Sequence, residues 1–229
     1  MTTVALIGGD GAGKTTIARH LTTCDDLNAR YLYMGISAQS GDRLLPTSRL
    51  ILWAKRRAYR RRVVDRTGAS PTSSRIPADQ YEYSTKDRHA LWVTARLVNR
   101  FAEAWYRQLV SMAYQARGYV VVYDRHLLFD TGVLDPGRQQ GRLTSEKIYH
   151  WLMRSFFPRP DAVLFLDTPG VVLHARKGES SPEHLDAEAQ MYVAQAGAVD
   201  RFIRIDASQP LEDVTRQATE IVRALTSGG

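Results

Sequence analysis

The sequence, 229 residues long, predicts a three-layer α/β fold in which a five-stranded parallel sheet is flanked by helices. Three observations predict it. Five short β-type runs alternate with helical patterns along the chain, and such alternation folds as a parallel sheet covered on both faces. The first run passes through a glycine-rich turn directly into a helix. Polar residues with chemical potential, Asp10, Asp124, Arg125 and Asp167, follow the ends of runs, where open parallel sheets place their ligands.

The first strand is expected at residues 3–7 (Thr-Val-Ala-Leu-Ile), closed by Gly8 and Gly9, with a helix opening at Thr15 and running to Leu21. A second strand spans Ala29 to Met34. Leu50 to Val64 reads as an amphipathic helix with arginines on one face, and Thr67 to Pro77, rich in Ser, Thr and Pro, as a loop. Ala90 to Ala116 carries the longest helical signal, with Leu91, Ala95, Val98, Ala102, Trp105, Leu109 and Met112 three or four residues apart, and Gly118 stops it. Tyr119 to Tyr123 is a continuous β-branched and aromatic run, the mark of a buried strand. A helix near Ser145 to Phe156 precedes a fourth strand, Ala162 to Leu166. Helices around Val171 to Lys177 and Glu183 to Gly197, a strand at Arg201 to Ile205 and a helix at Leu211 to Leu225 complete the pattern.

Composition narrows the class. With 44% hydrophobic and 24% charged residues the chain is globular, neither disordered nor fibrous. Cys24 is its only cysteine, which excludes an intrachain disulfide and a cysteine-based zinc cluster and leaves oxygen as the expected metal ligand. No apolar run approaches the roughly 18 residues of a membrane span, and the N-terminus lacks the basic start and longer apolar core of a signal peptide, so a cytoplasmic location is expected. The net charge of +7 is unevenly distributed. Residues 53–66 hold Lys55, Arg56, Arg57, Arg60, Arg61, Arg62 and Arg66 against Asp65 alone, so the remaining chain is close to neutral.

Gly8-Gly9-Asp10-Gly11-Ala12-Gly13-Lys14-Thr15 fits G-x-x-x-x-G-K-[ST] at every position and stands between a strand and a helix, as that motif requires. The physical reading is a phosphate cradle. Glycines let successive N–H groups turn inward, and the helix start adds its free N–H groups and dipole. Lys14 would meet the β and γ phosphates, and the Thr15 hydroxyl would ligate Mg²⁺. Gly11, Ala12, Gly13, Lys14, Thr15 and Thr16 are thus the expected nucleotide-binding residues, with ATP and Mg²⁺ as cofactors. Asp167-Thr168-Pro169-Gly170 mimics the D-x-x-G element of GTPases, but it lies far from the loop and no Asn-Lys-x-Asp follows it.

Four separated stretches resemble the thymidylate kinases, within the P-loop nucleoside monophosphate kinases. They are Gly9 to Thr16, Ala90-Leu91-Trp92-Val93-Thr94-Ala95-Arg96, Asp124-Arg125-His126 after an apolar strand, and Pro160 to Asp167 followed by Arg176-Lys177-Gly178-Glu179. The resemblance implies a single P-loop kinase domain over 1–229, with a basic helical insertion at about 44–66, a flexible loop at about 67–80 and a helical lid at about 170–197. It implies catalytic roles for Lys14, Asp124, Arg125 and Arg176, with Lys177 a further cation, and Mg²⁺ held by Thr15 and Asp124. Acceptor binding falls to Asp10, Arg125 and Arg96, or Arg100 one helical turn later. His126 reads as a packing residue or a support for its neighbours rather than a catalytic base, since a phosphate acceptor needs none; a hydroxyl acceptor would favour a base there.

The chain also departs from that family. Met34-Gly35-Ile36-Ser37-Ala38 stands where an Arg-Glu-Pro-Gly type segment is usual, and Leu127 to Gly132 replaces the residues that follow the Asp-Arg pair. The donor half is kept and the acceptor half altered, so the expectation is a Mg·ATP-dependent kinase for a small acceptor: a nucleotide, a nucleoside or a sugar derivative. The alternative is a P-loop NTPase or nucleotide-binding regulatory protein whose basic helix docks on nucleic acid or an anionic membrane. A homodimer stays open, and nucleic-acid or membrane contact through residues 53–66 is not favoured over a solvated helix face.

Overall fold

The computed structural model describes residues 2–35, 45, 50, 53, 57, 90–130, 144–178 and 180–227. The chain divides into two compact units, Met1–Arg43 with Arg107–Gly229, and Leu44–Tyr106. The expected insertion at about 44–66 lies outside the described residues except for Leu45, Leu50, Trp53 and Arg57, and the loop at about 67–80 lies wholly outside them.

In the larger unit, β1 (Thr3–Ile7) leads through the glycine turn to α1 (Lys14–Leu21), and a short 3₁₀ turn precedes β2 (Ala29–Tyr33). The helix α2 (Ala90–Gln115) enters this unit at Arg107 and is followed by β3 (Val120–Asp124) and one turn of helix, α3 (Leu127–Asp130). Then come α4 (Thr144–Phe156), β4 (Ala162–Asp167), α5 (Gly170–Lys177), α6 (Pro182–Ala194), β5 (Phe202–Asp206) and α7 (Leu211–Ser227). All strand pairs are parallel, in the order β2-β3-β1-β4-β5.

Side chains that alternate along the strands reach both faces. Val4, Leu6, Val122, Leu164, Leu166 and Ile205 join Ile17, Ala18 and Leu21 of α1 and Val214, Ala218 and Val222 of α7 in one buried cluster. The i, i+4, i+8 spacing of the last three puts them on one stripe, while Glu212 and Asp213 complement the helix dipole at its start. On the opposite face the Tyr123 hydroxyl and Ser111 of α2 share a hydrogen bond of 2.7 Å, and Phe165 meets the ring of Tyr192 from α6 at 5.8 Å. Helices therefore cover both sides of the sheet, and the three-layer architecture holds. Among the described residues no helix is long and apolar enough to cross a membrane.

Strand boundaries differ from expectation by about one residue. β3 begins at Val120 because Tyr119 turns outward, its ring 4.4 Å from the Arg30 guanidinium, which also donates to its hydroxyl at 3.1 Å. The strand then includes Asp124. Gly170 has a local reason to be glycine: its N–H donates to Asp186 at 2.7 Å, and a β-carbon there would strike the Pro182 carbonyl. The D-x-x-G likeness thus reflects how α5 meets α6.

Within the smaller unit, the Leu45 N–H donates to the Glu103 carboxylate at 3.1 Å, and the rings of Phe101 and Trp105 lie 6.1 Å apart one helical turn from each other. Arg57 lies 5.7 Å from the ring of the exposed Trp53.

Candidate functional site

Register decides where polar groups meet. Leu6 lies opposite Asp124, and the Arg125 N–H donates to the Leu6 carbonyl at 3.0 Å, so the turns leaving β1 and β3 begin side by side. Gly8 makes the first of these turns at φ +144°, with its α-carbon so close to β4 that a β-carbon would stand 2.6 Å from the Leu166 carbonyl oxygen. The loop then ends at Gly13, and no side chain caps the N-terminus of α1. That leaves backbone N–H groups and the positive end of the helix dipole facing the loop.

Lys14 is buried and curls back over its own loop. Its Nζ donates to the carbonyls of Gly8 (2.6 Å) and Gly9 (2.7 Å) and lies 3.9 Å from an Asp10 oxygen. Burial, helped by nearby Arg125, pulls the ammonium down to about 8. An anion arriving in the loop would restore the ordinary affinity of Lys14 for its proton.

Beside it, Thr15 Oγ1 donates to Asp124 Oδ2 at 2.6 Å, and the Tyr31 hydroxyl donates to the same oxygen at 2.9 Å. Asp124 is 1% exposed, and its other oxygen, Oδ1, is buried with no hydrogen-bond partner. A buried carboxylate oxygen without a donor is costly unless a cation or water meets it. Thr15 and Asp124 are hard oxygen donors of the kind Mg²⁺ takes, and Mg²⁺ commonly uses only one or two protein groups together with phosphate and water. Among the described residues no group of three or more His, Cys, Asp or Glu forms a metal cage.

Arg125, at φ +67°, sits in a left-handed conformation rare for a side-chain-bearing residue, and its guanidinium pairs with Asp10. Although burial opposes the charge, Asp130 and Asp10 hold the guanidinium above its ordinary range. Asp10 responds in kind: burial works against its ionisation, but Arg125 and Lys14 hold it below the usual carboxylate range.

On the other side of the loop, Arg176 at the end of α5 reaches the Ala207 carbonyl at 3.3 Å and the Gly11 carbonyl at 3.4 Å. Arg176 and Lys177 both lie against Gly11. Gly11, Gly13, Thr16, Arg176, Gln209 and Leu211 line a hollow of about 300 Å³. A larger hollow of about 480 Å³ between α1 and α7 holds none of Lys14, Asp124 or Arg125.

Several groups here carry no motif. Asp130, at the end of α3, faces Arg125 and Lys14, and burial pushes its carboxyl up to about 6. The Tyr192 hydroxyl lies 3.5 Å from Asp130 Oδ1 and donates to Glu188 at 3.0 Å. His126, by contrast, is fully buried among the rings of Tyr123, Phe129 and Phe157 with neither nitrogen hydrogen-bonded, and burial drives it down to about 3. Of the two roles expected for it, packing or support for its neighbours, the structure shows packing.

The structure therefore gathers Asp10, Gly11, Ala12, Gly13, Lys14, Thr15, Thr16, Asp124, Arg125, Arg176 and Lys177 around one loop. Arg96 and Arg100 belong to the smaller unit; the Arg96 side chain lies outside the described residues, and Arg100 is partly buried. Sequence reasoning missed Tyr31, Asp130, Glu188 and Tyr192. No protein-family model matches the chain, and no curated protein matches it.

Proposed function

We propose that the chain is a Mg·ATP-dependent phosphotransferase, a kinase of the thymidylate-kinase-like kind, that moves a γ-phosphoryl group to a small acceptor. The observation that carries this reading is the contact between Thr15 and Asp124. Two residues 109 positions apart meet at 2.6 Å beside the loop lysine and leave one buried carboxylate oxygen without a partner.

Transfer between anionic reactants is chiefly positioning and charge neutralisation. The triphosphate would lie along Gly11 to Thr16, with the uncapped N–H groups of α1 on its oxygens and Lys14 swung from the Gly8 and Gly9 carbonyls onto the β and γ phosphates. The nucleoside would occupy the hollow between Arg176 and Gln209. Arg125, held by Asp10, would face the transferring group from the β3 side, and Arg176 would face it from α5. Cations on two sides stabilise the charge that spreads over the equatorial oxygens. Mg²⁺ bound through Thr15 and Asp124 would supply additional charge neutralisation at the β and γ oxygens.

ADP formation measured with nucleoside monophosphates, nucleosides and sugars, in wild type and in Lys14→Ala, tests the proposal. Turnover should appear with one acceptor class and fall at least 100-fold in the variant. Turnover equal in the two proteins would reject it.

A further inference from the structure

We infer that Tyr31 is a positioning residue for a divalent cation: its hydroxyl holds one oxygen of the Asp124 carboxylate so that the other, Oδ1, is presented to the metal. The inference rests on the phosphotransferase reading and deepens it, because it brings a residue of β2, outside the glycine loop, into the cation site of that loop.

Register brings the two side chains together. Tyr31 lies opposite Val122 and Tyr33 opposite Asp124 in the parallel β2–β3 pair, so Asp124 stands two residues beyond the partner of Tyr31, on the same face of β3 as Val122. A long aromatic side chain spans that diagonal. The face is the one α1 covers: Ala29, Val120 and Val122 belong to the buried cluster that includes Ile17 and Leu21, and Tyr31 packs against it. Thr15 and Arg19 stand one turn apart on α1, and both meet the pair. Thr15 Oγ1 reaches Asp124 Oδ2, and the Arg19 guanidinium lies 6.0 Å from the centre of the Tyr31 ring.

The distribution of donors on Asp124 carries the argument. Oδ2 accepts from Thr15 at 2.6 Å and from Tyr31 at 2.9 Å, while Oδ1 is buried with no hydrogen-bond partner. Hydrogen bonding for the sake of the fold alone would place one donor on each oxygen, since an unmet buried oxygen is costly. Two donors on one oxygen instead fix the plane of the carboxylate and leave the other oxygen to a ligand from outside the chain. The Thr15 hydroxyl spends its single proton on Oδ2 and keeps its lone pairs, so Thr15 and Asp124 offer bare oxygens to the same cation.

The Asp124 backbone is tied on both sides. Its carbonyl accepts the Met34 N–H at 3.1 Å, and the Arg125 N–H donates to Leu6, the residue opposite Asp124, at 3.0 Å. What freedom remains to the carboxylate is rotation about its own side-chain bonds, and the two hydroxyls remove it. Thr15 belongs to the loop that the nucleotide loads; Tyr31 holds Asp124 from the strand beside it. Partners of this kind, one bond removed from a metal, typically change its affinity about 10- to 100-fold when lost.

Calorimetric titration of ATP into wild type, Tyr31→Phe, Asp124→Asn and the double variant, each with Mg²⁺ and with EDTA in its place, tests the inference. Phe keeps the ring against α1 and removes only the hydroxyl. We expect Tyr31→Phe to bind metal-free ATP within about threefold of wild type, and the tightening that Mg²⁺ gives wild type to fall about tenfold or disappear. In the Asp124→Asn background the same substitution should change Mg·ATP affinity less than about twofold, because the hydroxyl acts through that carboxylate. Undiminished Mg²⁺ tightening in Tyr31→Phe, an equal loss with and without the metal, an additive loss in the double variant, or a Tyr31→Phe chain unfolded by circular dichroism overturns the inference, as does wild type that binds ATP with no gain from Mg²⁺. Wild type that binds ATP in neither condition removes the phosphotransferase reading and this one with it.

Discussion

Replacing Asp130 by Asn should make the folded protein more stable at neutral pH. Burial raises the folded-state pKa of this carboxyl from the ordinary 3.8 to about 6, after the partial offset from Arg125 and Lys14. Between those values the folded state holds a proton that the unfolded chain has released, so wild-type stability falls as pH rises from about 4 to 6 and the loss is complete above 6. Each pKa unit is worth about 1.36 kcal/mol, which puts the full loss at about 3 kcal/mol. Because the side chain is only partly buried, solvent screening reduces the expected gain to about 1 to 3 kcal/mol. Asn keeps the shape of the neutral acid and avoids that loss. Urea unfolding at intervals from pH 4 to 8 should show wild type and variant nearly equal at pH 4, diverging through pH 5 to 6 and separated by a constant margin above it. A variant less stable than wild type at pH 7, or a gap that does not grow with pH, would refute the reasoning.

Other substitutions probe the frame of the site. Gly8→Ala should cost about 2 to 4 kcal/mol in chemical unfolding, because the β-carbon adds a clash with the Leu166 carbonyl to an already left-handed φ. Tyr123→Phe removes a buried 2.7 Å hydrogen bond to Ser111, for which thermal or urea denaturation should report about 1 kcal/mol, with nucleotide affinity unchanged. On the proposed function, Mg²⁺ should raise ATP affinity in the wild type and leave it unchanged in Asp124→Asn, as measured by titration with and without the metal.

The glycine loop was legible because its residues are contiguous: the glycines, the lysine and the threonine hydroxyl stand within eight positions. Asp124 and Arg125 were legible because an apolar run ends at them, and parallel register then carries them to the loop. Asp130, Glu188 and Tyr192 were not, since they meet only after α6 folds across the sheet to α3, 62 residues away in sequence for the Tyr192 contact. Three apolar residues ending in an acid, Leu127 to Asp130, were the only local sign. Tyr31 lies on a strand like any other aromatic, and nothing but β2–β3 pairing reveals that it reaches Asp124. Arg96 shows the opposite limit: a helical period fixes spacing along its own helix and says nothing about which neighbour an arginine meets.

Titration of Mg·ATP into wild type and Lys14→Ala, followed by calorimetry, tests the central claim most directly. The account predicts saturable binding to wild type at one site and at least tenfold weaker binding to the variant, with both proteins folded by circular dichroism. Wild type that does not bind, or a folded variant that binds equally well, would contradict it.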